Sequence, residues 1–293
     1  MTAAPIVAAT DFSPAADRAA HRAAMIAAQT GAELHLLHVI RPLDLYPGLA
    51  EGVDAAAYDS AGQRAAKGRL ASLAGNLESR YGIRAVEAQR IGRPHTEIAD
   101  YAGRNGAGLV VAGARGETSL RRVLLGSVAW RLLRVFKGAV LIVRHAPVAA
   151  YRNALAAIDF SPDSSAALKW AVRLASEVQT LHVLPDGDET LLREAGLDNA
   201  ALRQRAKDMN AIASTLMRNL LEDLSIQAYS HIETGYAPEI ILERAANWHS
   251  DLIVLGRHGH GGLEEFLLGS VSKDVAQEAD CDVLVAGVLE GRA

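Results

Sequence analysis

Two glycine-rich segments hold the residues best suited to chemistry. One reads Gly113-Ala114-Arg115-Gly116, then nine residues, then Gly126-Ser127-Val128. The other reads Gly256-Arg257-His258-Gly259, then nine residues, then Gly269-Ser270-Val271. Each follows an apolar run and precedes a stretch with helical spacing. Glycine lets the backbone approach an anion closely and permits φ > 0. The first N–H groups of a helix lack intrahelical acceptors, and the helix dipole places about half a positive charge there. A phosphate group suits such a place. Ser127 and Ser270 are expected to cap their helices or to donate a hydroxyl to phosphate. A single Gly-x-x-Gly is usually a tight turn and nothing more. Three glycines and a serine, kept at one spacing in two otherwise diverged segments, favour phosphate binding.

Rival chemistries find less support. No Gly-x-x-x-x-Gly-Lys-Ser/Thr occurs, so the P-loop signature is missing. No Gly-x-Gly-x-x-Gly follows the first strand; Gly106-Ala107-Gly108 precedes a strand and has Val111 where the third glycine should stand. His258 and His260 at spacing two, with no carboxylate or cysteine cluster nearby, are a weak metal signal, and no metal site is expected. His35 and His38 fall on opposite faces of a strand. Trp130, Trp170 and Trp248 sit in helical patterns and read as packing residues. Hydrolysis needs a positioned water and a group to orient it. Glu117 is the nearest candidate, but its counterpart in the second segment is His260. Binding is therefore favoured over catalysis, and no catalytic residue is assigned.

The loops belong to a larger repeat. Ile6–Pro14 matches Leu155–Pro162, with Asp-Phe-Ser-Pro beginning at Asp11 and at Asp159. Leu109–Gly113 matches Leu252–Gly256, and Leu124–Val128 matches Leu267–Val271, all at offsets of roughly 145 residues. A repeat of that size is a duplicated domain, here read as residues 1–147 and 148–293 with a linker near His145 to Arg152. In the first copy, strands are expected at Ile6–Ala9, Leu34–Ile40, Arg84–Ile91, Leu109–Ala112 and Val140–Val143. Helices are expected at Pro14–Thr30, Asp54–Tyr81, His95–Gly103 and about Ser127–Val135. In the second copy, strands fall near Ala154–Ile158, Thr180–Leu184, Ile226–Ile232, Leu252–Leu255 and Val283–Ala286, with a tight link from Ser176 to Thr180. Short apolar runs alternating with helices imply right-handed βαβ units and parallel sheets covered on both faces.

The 293 residues suit about two domains. Half are hydrophobic and 22% are charged, an ordinary globular balance. A net charge of −4 gives no general attraction to nucleic acid or anionic lipid, and neither partner is expected. Cys281 is the only cysteine, which rules out an intramolecular disulfide or a thiolate zinc cage. Met1 to Pro14 does not read as a signal peptide, and no apolar run approaches the ~20 residues of a membrane span. A cytoplasmic protein is expected.

The sequence resembles the universal stress protein family in its tandem two-domain, ATP-binding form. The motifs are Asp-Phe-Ser-Pro after strand one, His38-Val39 and His182-Val183 in strand two, Gly92-x-Pro94-x-x-x-Ile98 and Gly235-x-Ala237-x-x-x-Ile241, and above all the two Gly-rich loops. The resemblance covers essentially the whole chain. It implies two doubly wound α/β domains, each with a five-stranded parallel sheet of order 3-2-1-4-5 flanked by helices. The nucleotide pocket would lie at the carboxyl ends of strands 1 and 4. Thr10-Asp11 and Ile158-Asp159 would lie beside the nucleoside, with Asp11 and Asp159 either bonding ribose or adenine or capping the next helix. Val39 and Val183 would frame adenine through their backbone. ATP phosphates, carrying Mg2+, would rest on Gly113 to Gly116 with Gly126-Ser127-Val128, and on Gly256 to Gly259 with Gly269-Ser270-Val271. The resemblance implies a nucleotide-dependent regulator or sensor in stress response. The alternatives are a slow ATPase or phosphotransferase, or a holdase-like protein with structural nucleotide. The two domains would pair through their fifth strands about a pseudo-two-fold axis, with a homodimer and an unknown protein partner as further expectations. Arg121-Arg122 in the first loop aligns with Glu264-Glu265 in the second, so the first site is expected to bind more tightly.

Overall fold

The computed structural model describes residues 3–42, 54–114, 125–186, 196, 198–259 and 268–288. The chain divides into two compact units, Met1–Ala150 and Tyr151–Ala293. The first unit runs β1 (Ile6–Thr10), α1 (Pro14–Thr30), β2 (Leu34–Ile40), α2 (Ala55–Tyr81), β3 (Ala85–Ile91), α3 (Pro94–Arg104), β4 (Leu109–Gly113), α4 (Ser127–Val135) and β5 (Ala139–Val143). Its strand order is β3-β2-β1-β4-β5, and every pair is parallel. The order reverses between β1 and β4, so their carboxyl ends open a crevice. Val7, Leu36, Val110 and Leu141 are fully buried on the strands, as expected of a sheet covered on both faces.

Helix α1 shows why the sequence builds the wall of that crevice so closely. Ser13 is its N-cap and accepts from the Ala16 N–H, Pro14 occupies the first turn, and Gly31 ends the helix in the left-handed region at φ 67°. Its buried face is mostly alanine (Ala16, Ala19, Ala20, Ala23, Ala24 and Ala27), so the helix axis can lie near the sheet.

The second unit runs β6 (Tyr151–Ala157), α5 (Pro162–Leu174), β7 (Ala175–Leu184), α6 (Asn199–Asp223), β8 (Tyr229–Thr234), α7 (Ala237–Asn247), β9 (Leu252–Gly256), α8 (Ser270–Glu278) and β10 (Asp282–Ala286). Its order is β8-β7-β6-β9-β10, again parallel throughout.

Three strand starts differ from the sequence reading by three residues or more. Strand β7 begins at Ala175, directly after α5, where a link from Ser176 to Thr180 was expected. Ser176 and Glu177 are exposed, which hides the apolar pattern, yet Ala175 and Glu177 stay in register with Tyr151 and Asn153. Strand β6 begins at Tyr151, inside the expected linker, because the buried Tyr151 hydroxyl donates to Asp282 Oδ2 at 2.6 Å. Strand β8 begins at Tyr229 and not at Ile226. Ser225 is left-handed at φ 53°, and the N–H groups of Ser225 and Ile226 turn back to the Glu222 and Leu221 carbonyls. Ile226 therefore serves the C-cap of α6.

Candidate functional site

Both units build the end of their first strand in the same way. Asp11 Oδ1 accepts from the Ser13 N–H at 3.0 Å, and Ser13 Oγ accepts from the Ala16 N–H at 3.2 Å. Asp159 Oδ1 accepts from the Ser161 N–H at 3.0 Å, and Ser161 Oγ accepts from the Ser164 N–H at 3.1 Å. The serines cap the helices and the aspartates shape the turn before the cap, so the capping role weighed for Asp11 and Asp159 belongs to Ser13 and Ser161.

The residue between them is forced into the left-handed region, with Phe12 at φ 62° and Phe160 at φ 65°. That conformation is unusual for a bulky side chain. Each ring is held against a histidine of the second strand, Phe12 to His38 and Phe160 to His182, both at 4.6 Å between centroids. The Arg69 guanidinium lies 4.1 Å from the Phe12 ring centroid, and Arg69 Nη2 donates to the Phe12 carbonyl at 3.4 Å.

The first glycine of each loop has a packing role as well. A Cβ on Gly113 would stand 2.7 Å from the carbonyl carbon and oxygen of Ala15, and one on Gly256 would stand 2.8 Å from the Ser164 nitrogen. The last glycine is the helix cap. Gly126 and Gly269 are the N-cap residues of α4 and α8, and their N–H groups donate back to the Ala114 carbonyl at 2.7 Å and the Arg257 carbonyl at 2.9 Å. The expectation that Ser127 and Ser270 cap these helices is therefore corrected. The cap falls one residue earlier, and neither helix has a side-chain cap bond. With glycine at the cap, the cap residue itself has no side chain to cover the N–H groups of the first turn.

In the first unit these pieces enclose a cavity of about 790 Å³, well within the range of small-molecule sites. Thr10, Asp11, Val39, Gly113, Gly126, Ser127 and Val128 all line it. Arg115 and Gly116 lie outside the described residues, as do Glu117, Arg121 and Arg122. Tyr58, Ala61, Gly62 and Ala65 of α2, which went unread in the sequence, line the cavity too, as do Pro94 and Ile98 of α3, which the sequence singled out as motif positions without placing them at the site. The legible signal was the small residues Ala61, Gly62 and Ala65 gathered on one side of a long helix. His38 also lines the cavity. Burial, reinforced by Arg69 and opposed by the Thr10 bond and Asp11, holds its imidazole below the ordinary pKa of 6.5. His35 has partners of its own, Tyr101 Oη at 2.8 Å and Glu33 Oε2 at 3.1 Å.

A model of the universal stress protein family matches residues 3–144 and again residues 150–287. The chain belongs to this family. A universal stress protein of Mycolicibacterium smegmatis is 32% identical over 188 residues, which is 61% of this chain and 61% of the relative. Universal stress protein A homolog 2 of Coxiella burnetii is 42% identical over 96 residues, or 32% of this chain and 60% of the relative. The chain thus spans less than two thirds of the length of these curated relatives. The crystal structure of a universal stress protein from Archaeoglobus fulgidus shares the fold, with a TM-score of 0.71 at 24% identity, over 97% of this chain and 98% of that one.

The second universal stress protein domain keeps the backbone frame and changes the side chains. Ile158, 3% exposed, replaces Thr10, whose hydroxyl accepts from the Phe12 N–H at 3.0 Å. Arg257, 4% exposed, replaces Ala114. Burial lowers the Arg257 guanidinium to a pKa of about 10 against the opposing pull of Asp163. A Cβ on Gly259 would stand 2.8 Å from Asp159 Oδ2. Ser272 Oγ donates to the Gly256 carbonyl at 2.6 Å, tying α8 to the end of β9. His260, Glu264 and Glu265 lie outside the described residues, as do Arg121 and Arg122, and the expected charge contrast falls there. Among the described residues no three His, Cys, Asp or Glu side chains gather as a metal site, and no helix is long and apolar enough to cross a membrane.

Proposed function

We propose that this universal stress protein binds ATP in its first domain and acts as a nucleotide-dependent regulator or sensor in stress response. The observation that carries the reading is the cavity at the carboxyl ends of β1 and β4, lined both by apolar side chains and by the start of α4. Leu37, Ile40, Ala61 and Ile98 supply the apolar side chains, suited to a flat base framed by the Val39 backbone. Thr10 and Asp11 also line the cavity and would meet ribose. Gly126, Ser127 and Val128 open α4 toward the cavity with an uncapped first turn, suited to phosphates. Asp11 is the one carboxylate among the described lining residues. A hard cation takes six or more oxygens, so Mg2+ would enter with the phosphates and not in a protein cage. Phosphate occupancy would order the loop and the start of α4, changing a surface offered to a protein partner in the cytoplasm.

Mass spectrometry of small molecules released from purified, denatured protein, paired with calorimetry against MgATP, tests the reading. Released or titratable ATP is expected. No nucleotide released and no heat on addition would overturn it. Steady-state phosphate release separates a sensor from a slow ATPase.

A further inference from the structure

The two domains differ at the residue that follows the proline of the first helix. In α1 it is Ala15, which has no side-chain acceptor; in α5 it is Asp163. Both sit against the first glycine of their loop, since a Cβ on Gly113 would meet Ala15 Cβ at 3.1 Å and one on Gly256 would meet Asp163 Cβ at 3.1 Å. Asp163 uses that position. Its Oδ2 accepts from the His258 backbone N–H at 3.0 Å and from His258 Nδ1 at 2.9 Å, and its Oδ1 accepts from the Val288 N–H at 3.0 Å. The carboxylate is mostly buried, at 13% exposure.

His258 is the third residue of the Gly256–Gly259 turn, and its carbonyl accepts from Ser161 Oγ at 3.2 Å. The turn is thus held from both its N–H and its C=O by the first turn of α5. The preceding N–H, of Arg257, donates to the Ala286 carbonyl at 2.8 Å, as Ala114 donates to Val143 at 2.9 Å in the first domain. The donors of residues 257 and 258 are therefore both engaged within the protein. A carboxylate is an anionic acceptor of the same kind as a phosphate oxygen, and charge-assisted bonds of this type are the strong ones. A phosphate arriving at this turn would find its donor taken and a buried negative charge in its place.

We propose that Asp163 is a built-in anion occupying the phosphate turn of the second domain, and that it confines ATP to the first domain. This rests on the reading that these loops hold phosphate. Asp163 is then the residue that sets how many nucleotides the chain carries.

The test is the number of MgATP bound per full-length chain, read by native mass spectrometry and calorimetry, for wild type, Asp163→Ala and Asp163→Asn. Hydrogen exchange over residues 252–259 and 268–288 reports which domain is occupied and whether the second domain is folded. Wild type is expected to bind one ATP, and Asp163→Ala two, with new protection in the second domain. Asp163→Asn keeps the carbonyl acceptor and removes the charge, and is expected to gain the second site at lower affinity than the alanine variant. If the alanine variant unfolds the second domain, the asparagine variant decides, and no gain there overturns the proposal. Two ATP on wild type, or no gain in a folded Asp163→Ala, also overturns it while leaving the first-domain reading intact. None on wild type and one on Asp163→Ala upholds the role of Asp163 and overturns the first-domain reading. None on any variant overturns both.

Discussion

His38 donates through Nδ1 to the Thr10 carbonyl at 2.8 Å, and His182 repeats the bond to the Ile158 carbonyl at 2.7 Å. A carbonyl only accepts, so the proton of each ring sits on Nδ1. Thr10 and His38 are register partners on adjacent parallel strands, so the side chain adds one bond at the edge of the cavity. The same ring buttresses the phenylalanine held in the left-handed region. The His-Val pairs are thus braces for the turn that carries Asp11 and Asp159.

A pH dependence follows for the first domain. The folded state depresses the His38 pKa, so folding favours the neutral ring. The unfolded chain takes up a proton near 6.5 while the folded chain resists it. The stability contributed by His38 is whole above pH 6.5 and is lost as the pH falls below that value toward the depressed pKa. His21 and His95 are depressed in the same direction by burial and act in parallel. His38→Asn keeps a donor near Nδ1 and does not titrate. Its thermal midpoint is expected to be lower than wild type at neutral pH and to fall less steeply on acidification.

Gly113→Ala and Gly256→Ala place a methyl group against backbone that cannot turn away. Each is expected to destabilise its domain by about 1–3 kcal/mol, the usual cost of overpacking. Denaturant unfolding followed with hydrogen exchange checks the size and the domain. Loss of ATP binding in Gly113→Ala would therefore not by itself show phosphate contact.

Gly62→Leu separates binding from folding more cleanly. Gly62 lines the cavity from the middle of α2, and its Cβ would meet only Ile40 Cγ2, at an ordinary 3.6 Å. Replacing a mid-helix glycine with leucine favours the helix by up to about 1 kcal/mol, while the longer side chain fills part of the cavity. Unchanged or raised thermal stability with loss of ATP binding is expected from a melting curve and a titration on the same preparation.

Ser127→Ala should leave stability within about 0.5 kcal/mol of wild type, because the exposed hydroxyl makes no capping bond. If that hydroxyl meets phosphate, ATP affinity falls about three- to tenfold, the worth of one hydrogen bond. Calorimetry at fixed MgATP checks it.

Ser13→Ala removes the one side-chain cap of α1 and is expected to cost about 1 kcal/mol. Ser161→Ala is expected to cost more, up to about 2 kcal/mol, since the single Ser161 hydroxyl proton is also shared between Asp159 Oδ1 at 2.6 Å and the His258 carbonyl at 3.2 Å. Chemical denaturation of the two variants side by side measures the difference.

The strands and helices of the first domain were legible because each element has its own period and its own stop. Pro14 and Gly31 bracket α1, and the five-residue runs of β4 and β5 are apolar almost throughout. The second domain was less legible where polar residues occupy strand positions, as Ser176 and Glu177 do in β7. The glycine-rich side of the cavity was visible because glycine spacing is a local property of the chain. The helical side was not, because Tyr58, Ala61, Gly62 and Ala65 meet Pro94 and Ile98, known before only as motif positions, once α2 and α3 pack on the sheet. The Asp163–His258 contact joins residues 95 positions apart, a separation that no local pattern reports.

The close seat that Gly113 and Gly256 give the first helix has a consequence for how the duplicated halves diverge. Whatever side chain follows the helix-opening proline is delivered onto the loop, with no change of backbone needed. Two of the four alanine codons become an aspartate codon by a single base change. If Asp163 confines ATP as proposed, such a change at that place would alter how many nucleotides a tandem copy holds without altering its fold. The position works as an inherited toggle, and the glycine beside it keeps that toggle within reach.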